Sequence, residues 1–281
     1  MTGGPTTTKG TAPDHDVVVE AIREVAATVI LPRFRTLADG DVSEKGPGDL
    51  VTVADVEAER ALTRRLAAAW PGSEVIGEEA VAADPSLLAA AAGHERVWVI
   101  DPIDGTRNFV AGSPDFAVMV AQVQAGRTVA SWIHHPVTGE VFAAELGAGA
   151  AVDGRPIHRA PAPSSLADLT GTVVTGLLDP AAADRVQGRA QAVGTLRPNS
   201  HAAGIQYPRV LLGELDFVLY WRTLVWDHAA GVLLLQEAGA HGARLDGTAY
   251  EPWSDRRGLL LAADESTFDQ VAALLAPDGT P

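Results

Sequence analysis

Val97-Trp98-Val99-Ile100 is an apolar run that ends on Asp101, and a second aspartate, Asp104, follows three residues later. Short apolar runs rich in β-branched and aromatic residues predict buried strands. The arrangement recurs: Asp55 follows Leu50-Val51-Thr52-Val53-Ala54, the pair Glu78-Glu79 follows Val75-Ile76-Gly77, and Asp227 follows Leu224-Val225-Trp226. Four acidic sites at the ends of apolar segments predict convergence on one rim of a sheet. At ~4 Å two like charges repel by about 4 kcal/mol at an effective dielectric of 20. Divalent cations would relieve that repulsion.

The hexapeptide Asp101-Pro102-Ile103-Asp104-Gly105-Thr106 concentrates the chemistry. Its two carboxylates and the Ile103 carbonyl are hard oxygen donors of the kind Mg²⁺ takes. Gly105 lets backbone approach a bound group, and the Gly105 and Thr106 amides at a turn or helix start suit an anion. Taken singly, each motif has a plainer reading. Asp-Pro and Asp-Gly are common turn dipeptides. Glu78-Glu79 reads as solvated charge, and Asp55 and Asp227 read as helix caps.

Periodicity organises the rest. Helices are expected over Asp16–Leu37, with Pro32 ending or kinking the first, and over Val56–Trp70 and Asp84–Ala92. Strands are expected at Glu74–Gly77 and Arg96–Ile100, then as an antiparallel meander at Phe116–Val123, Thr128–His134 and Glu140–Ala144. The Ala/Pro/Ser-rich stretch Arg159–Asp168 reads as a linker. Beyond it, strands at Thr172–Thr175, Asp216–Trp221 and Leu259–Ala262 alternate with helices at Ala181–Ala192, His201–Leu212, Asp227–Ala238 and Glu265–Leu275. The expected organisation is a disordered tail over 1–13, an N-terminal α+β half over 14–158 that carries most of the acidic residues, and a C-terminal α/β half over 159–281.

Composition excludes several classes. With 281 residues and 47% hydrophobic residues, the chain can bury a core. It has no cysteine, which removes disulfides, zinc–cysteine sites and thiol nucleophiles. A net charge of −15 argues against nucleic acid as partner. No apolar run approaches the ~20 residues of a membrane span, and Met1–Pro13 has no signal core, so the cytoplasm is the expected location.

Asp49-Leu50-Val51-Thr52-Val53-Ala54-Asp55, Ile76-Gly77-Glu78-Glu79, Trp98 to Phe109 and Trp226-Asp227-His228-Ala229-Ala230-Gly231 resemble, in order and spacing, the inositol monophosphatase family of lithium-sensitive, Mg²⁺-dependent phosphatases. The resemblance runs from about Val17 to Ala276. It implies an α/β, α+β-layered αβαβα sandwich of the inositol monophosphatase/fructose-1,6-bisphosphatase type, a homodimer, and hydrolysis of a small phosphate ester. By matching position, Glu78, Asp101, the Ile103 carbonyl, Asp104 and Asp227 would hold two or three Mg²⁺ ions, with Glu79 joining through water. Asp55 and Thr106 would activate the attacking water, and Gly105 and Thr106 would bind the phosphate.

Two departures concern substrate. The family usually has Gly-Ser/Thr-Ala-Ala before the helix expected at His201, where this chain has Arg197-Pro198-Asn199-Ser200-His201-Ala202-Ala203-Gly204. A Glu that usually stands seven residues before the last metal aspartate is Tyr220 here, followed by Trp221 and Arg222. Ser200, His201, Tyr220 and Arg222 are therefore the candidate substrate contacts, with sheet core (Tyr220) and surface charge (Arg222) as the plainer alternatives. The resemblance implies an inositol-phosphate-like ester, and the departures make histidinol phosphate, a 3′-phosphonucleotide or a sugar bisphosphate the alternative substrates. A non-catalytic metal- or phosphate-binding protein is the remaining reading. His134-His135 reads as structural, and Lys45 as a loop charge that is either solvated or near the site.

Overall fold

Alternation along two strands sets the architecture. In the strand Arg96–Asp104, Val97 and Val99 face one side, Trp98 and Ile100 the other, and all four are buried. In the strand Phe217–Tyr220, Phe217 and Leu219 face one side, Val218 and Tyr220 the other. Strands buried on both faces need cover on both, so two such sheets call for three helical layers.

The computed structural model describes residues 14–276 except Asp39, Pro47 and Leu177. The tail expected over Met1–Pro13 lies outside the described residues. In chain order the elements begin with α1 (His15–Val25), β1 (Val42–Gly46), β2 (Asp49–Thr52), α2 (Val53–Ala69), β3 (Glu74–Gly77), α3 (Glu78–Ala83) and α4 (Ser86–Ala92). Next come β4 (Arg96–Asp104), α5 (Thr106–Val110), β5 (Ala117–Gln124), β6 (Arg127–His134), β7 (Val141–Glu145), β8 (Gly149–Val152) and β9 (Arg155–Ile157). The remainder is β10 (Thr170–Val174), α6 (Pro180–Ala190), β11 (Thr195–Leu196), α7 (Ala203–Leu211), β12 (Phe217–Tyr220), α8 (Val225–Glu237), β13 (His241–Arg244), β14 (Leu259–Ala262) and α9 (Glu265–Leu275).

The larger sheet has the order β3-β4-β5-β6-β7-β8-β9, antiparallel except for the β3–β4 pair, and the smaller has β11-β10-β12-β14-β13. Helices α1 and α2 cover Trp98, Ile100, Val118 and Val120 on the outer face of the larger sheet. Helices α6 and α9 cover Phe217, Leu219, Leu260 and Ala262 on the outer face of the smaller. Between the sheets lie α7 and α8, packed on Val97, Val99 and Met119 on one side and on Val218, Leu259 and Leu261 on the other. This is the expected αβαβα order. Helix α8 is buried almost all round from Val225 to Leu235, as a helix in a central layer must be. Among the described residues no helix is long and apolar enough to cross a membrane.

Local differences from expectation bear on the site. The first helix is α-helical only to Val25; a π-helical turn over Ala26–Ile30 and a 3₁₀ turn over Leu31–Arg33 follow, with Pro32 in the latter. Helix α2 starts at Val53, three residues early, because Thr52 caps it in a capping box with Asp55. Asp55 is thus the third residue of the helix and not its cap. Asp227 is likewise the third residue of α8, whose N-cap is Leu224. Strand β4 does not stop at Ile100 but continues to Asp104. Its register against β5 shifts between Asp101 and Asp104, and the chain turns only at Gly105, at φ 90°. The stretch Arg159–Asp168 is irregular up to a 3₁₀ turn at Leu166–Asp168 and is tethered: Arg159 pairs with Asp216 at 2.9 Å, and the Ala162 amide donates to Asp264 Oδ2 at 2.9 Å.

Candidate active site

Two elements deliver three aspartates to one point. The irregular end of β4 presents Asp101 and Asp104, which are 1% and 7% exposed, and the first turn of α8 presents Asp227. One carboxylate oxygen from each lies within 4.8 Å of the other two. Asp101 Oδ1 accepts from the Ile103 amide at 3.1 Å. Asp104 Oδ1 and Oδ2 accept from the Ala203 and Gly204 amides at 3.1 and 2.6 Å, so this carboxylate also closes the start of α7. Gly204 is needed there, since a Cβ would stand 2.7 Å from the Ala117 Cβ and 3.0 Å from Asp104 Oδ2.

Burial, followed by the charges of Glu78, Asp104 and Asp227, pushes the Asp101 carboxyl well above the usual carboxylate range. Burial also drives Asp104 up to about 7 against its two amide bonds, and it raises Asp227 with help from Asp104 and Glu78. Burial and mutual repulsion act together: three carboxylates this deep and this close cannot all remain charged without a compensating cation.

Glu78, expected in this group, stands at the first position of α3 and outside the three-aspartate cluster. Lys45, on β1, holds it. The ammonium donates to Glu78 Oε1 at 2.6 Å and to Glu79 Oε1 at 3.0 Å. Burial opposes the Lys45 charge, but the two glutamates outweigh it and raise its pKa. Glu79 is pushed up to about 7 by burial, in spite of Lys45. Neither glutamate is the solvated surface charge of the plainer reading.

Asp55 lies beneath the site, 1% exposed. Its Oδ2 accepts from the Thr52 amide at 2.8 Å and from the Thr52 hydroxyl at 2.5 Å. Its Oδ1 accepts from the Thr106 hydroxyl at 3.0 Å, and Thr106 Oγ1 is also 3.1 Å from the Ile103 carbonyl oxygen. Burial moves the Asp55 carboxyl up to about 6, and the bonds from Thr52 and Thr106 restrain the rise. Gly105 takes a left-handed conformation, and a Cβ there would meet Ala202 Cβ at 2.9 Å and the Asp115 carbonyl at 3.1 Å.

Glu59 was not among the expected residues. It is 6% exposed, and its oxygens accept from the Glu79 and Ala80 amides at 2.8 and 2.9 Å, which caps α3 and fixes the glutamate pair. A Cβ on Gly77 would lie 2.1 Å from Glu59 Oε2, so the glycine of the Gly-Glu-Glu motif makes room for that cap. The available signal was spacing: Glu59 is four residues after Asp55 on one helix face.

A cavity of 460 Å³ opens beside the aspartates, and Asp104, Thr106, His201, Tyr220, Arg222 and Asp227 contribute to its lining. Tyr220 is buried, and its hydroxyl has no hydrogen-bond partner among the described residues. Ser200 is turned away: its hydroxyl donates to the Ala202 carbonyl at 3.0 Å. His201 adopts φ 58° and donates its amide to Asn199 Oδ1 at 2.9 Å. His134 and His135 are structural, with ring nitrogens on the Glu140 and Gly204 carbonyls at 2.9 and 2.8 Å. Cavities of 740 and 780 Å³ elsewhere contain none of the three aspartates.

A layered αβαβα sandwich with an acidic nest at the end of a buried strand defines a class of metal-dependent phosphatases. The family profile described as "Inositol monophosphatase family" matches residues 12–277. The chain belongs to that family, whose members are phosphoric monoester hydrolases. An inositol-1-monophosphatase of Mycobacterium leprae is 35% identical, over 82% of this chain and 85% of its own. A protein of Xylella fastidiosa named Nus factor SuhB is 31% identical, over 88% of this chain and 86% of its own. The crystal structure of the extragenic suppressor protein SuhB from Bartonella henselae superposes with a TM-score of 0.80 at 26% identity, covering 94% of this chain and 98% of that one.

Proposed function

We propose that the protein hydrolyses a small phosphate monoester with Mg²⁺, using a water molecule as nucleophile and forming no covalent phosphoenzyme. The observation that carries this is the meeting of Asp101, Asp104 and Asp227 within 4.8 Å beside the Thr106–Asp55 hydrogen bond. The donor set is all oxygen, buried and over-rich in negative charge, which suits a hard divalent ion. Asp101, Asp104, Asp227, the Ile103 carbonyl and Glu78 would hold two or three such ions, with Glu79 assisting. Bound there, the ions lower the pKa of water and offset charge on the phosphoryl oxygens.

The protein's own groups do the rest. Asp55 draws the Thr106 hydroxyl proton toward Oδ1, which leaves a Thr106 lone pair to accept a proton from the attacking water. The Gly105 and Thr106 amides donate to the phosphate oxygens. Water adds to phosphorus as the P–O ester bond breaks; the leaving oxygen takes a proton from solvent water to become the alcohol, and the proton taken up by the Thr106–Asp55 pair returns to solvent as inorganic phosphate is released. Inhibition by millimolar Li⁺ and assembly as a homodimer are expected from the family.

On the substrate side, Tyr220 and Arg222 favour an ester other than a neutral polyol phosphate, such as histidinol phosphate, a 3′-phosphonucleotide or a sugar bisphosphate. The relatives named Nus factor SuhB raise a binding role without catalysis, but the retention of all three aspartates with Asp55 and Thr106 favours the enzyme. The test is phosphate release from a panel of esters, with Mg²⁺ and with chelator. Turnover that survives chelation, or an Asp104→Asn variant as active as the parent, would overturn the reading.

A further inference from the structure

The strap Trp221–Leu224 joins β12 to α8, so it runs from Tyr220 to the turn that carries Asp227. It brings Arg222 to the cavity, where the side chain is exposed, makes no ion pair among the described residues, and acts on Asp227 only through its field, which opposes the rise of that carboxyl's pKa. His228 faces the strap from α8. Its Nε2 lies 3.2 Å from the Arg222 carbonyl oxygen, and its Nδ1 lies 2.8 Å from the Tyr207 hydroxyl. A carbonyl can only accept, so Nε2 carries the hydrogen, and Nδ1 is left to accept the Tyr207 O–H.

The ring is held by its surroundings as well. The Tyr220 ring lies against it with centroids 4.6 Å apart. Gly231, one turn further along α8, admits Tyr207: a Cβ there would be 2.1 Å from the tyrosine ring. A second arm holds the next residue of the strap, where buried Arg244 donates from Nη1 to the Thr223 hydroxyl at 3.0 Å and that hydroxyl donates to the Arg256 carbonyl at 3.0 Å. None of Tyr207, His228 and Arg244 belongs to the acidic cluster.

We propose that His228, oriented by Tyr207, is a positioning residue for substrate choice: by fixing the Arg222 carbonyl it sets the strap so that the Arg222 guanidinium receives a second anionic group on the leaving alcohol. The proposal rests on the phosphatase reading. An exposed guanidinium at the cavity, whose backbone is pinned at its own carbonyl and at the next residue, is available to an incoming anion from a fixed base.

The experiment compares fructose 1,6-bisphosphate, whose leaving alcohol carries a second phosphate, with glycerol 2-phosphate, whose leaving alcohol is neutral. His228→Leu removes both polar contacts. His228→Gln restores an amide donor at a reach like that of Nε2. The ratio of kcat/KM for the bisphosphate to that for the neutral ester is expected to fall about tenfold in His228→Leu, mainly through KM, and to recover most of the loss in His228→Gln. Arg222→Met should lower the same ratio, and adding His228→Leu to it should lower it little further. Should His228→Leu fold poorly, Tyr207→Phe gives a smaller fall in the same direction. Equal losses on both esters, or Arg222→Met without effect on the ratio, would overturn the proposal. Wild-type protein inactive on every ester with Mg²⁺ would instead sink the phosphatase reading itself.

Discussion

Thr106 donates its hydroxyl to Asp55 Oδ1 at 3.0 Å, although the two residues lie 51 positions apart. The capping box of α2 turns the other Asp55 oxygen toward Thr52, which leaves Oδ1 for Thr106. Asp55→Asn and Thr106→Val should therefore each lower kcat, by about 10²–10⁴-fold if the pair works as a general base. Mg²⁺ binding, read by calorimetry, should change little in either variant.

Asp101→Asn and Asp227→Asn should abolish measurable Mg²⁺ binding and turnover while leaving the fold intact. Relief of repulsion even predicts a higher melting temperature for these variants than for the parent in chelator. A lower one would mean that the carboxylates stabilise the metal-free protein.

Stability should depend on pH in a metal-sensitive way. Asp55 titrates at about 6 and Asp104 and Glu79 at about 7 in the folded chain, all above their ordinary carboxylate values. Between the unfolded and folded values the folded state holds more protons than the unfolded one, so stability falls as pH rises through that window. In chelator the protein should melt higher at pH 5 than at pH 8. Saturating Mg²⁺ should shrink or reverse the difference, because it binds the deprotonated form.

Lys45 neutralises the glutamate pair. Lys45→Met should tighten the Mg²⁺ dependence of activity, lowering the half-saturating concentration roughly three- to tenfold, as expected for a competing charge worth about 1 kcal/mol. An unchanged Mg²⁺ profile would show that the ammonium does not compete for Glu78.

Gly77→Ala would push its Cβ into Glu59. The expected cost is about 1–3 kcal/mol in urea unfolding, together with a loss of activity from displaced Glu78 and Glu79. A fully active, fully stable variant would contradict the packing around Glu59.

Much of the framework was legible. The strand Leu259–Ala262 and the helix Glu265–Leu275 run between the residues the sequence pattern gives, and Asp264 caps the helix, its Oδ1 accepting from the Thr267 amide. The meander was legible because its strands are apolar and separated by turn residues. The strands β1, β2, β8, β9, β11 and β13 were not, because they are two to five residues long and carry few large β-branched or aromatic side chains. Asp55 and Asp227 could not be told from caps, because a capping residue and a third helical residue differ only in where the first turn begins.

By itself the sequence determined which side chains are acidic at the ends of apolar runs, and hence that a metal-binding phosphatase site was within reach. Tertiary structure decided which of them meet. It gathered Asp101, Asp104 and Asp227, gave Glu78 to Lys45, turned the Ser200 hydroxyl onto the Ala202 carbonyl and brought in Glu59. The physical reason is that local pattern fixes the face and end of each element, whereas the distance between charges depends on how separate elements pack.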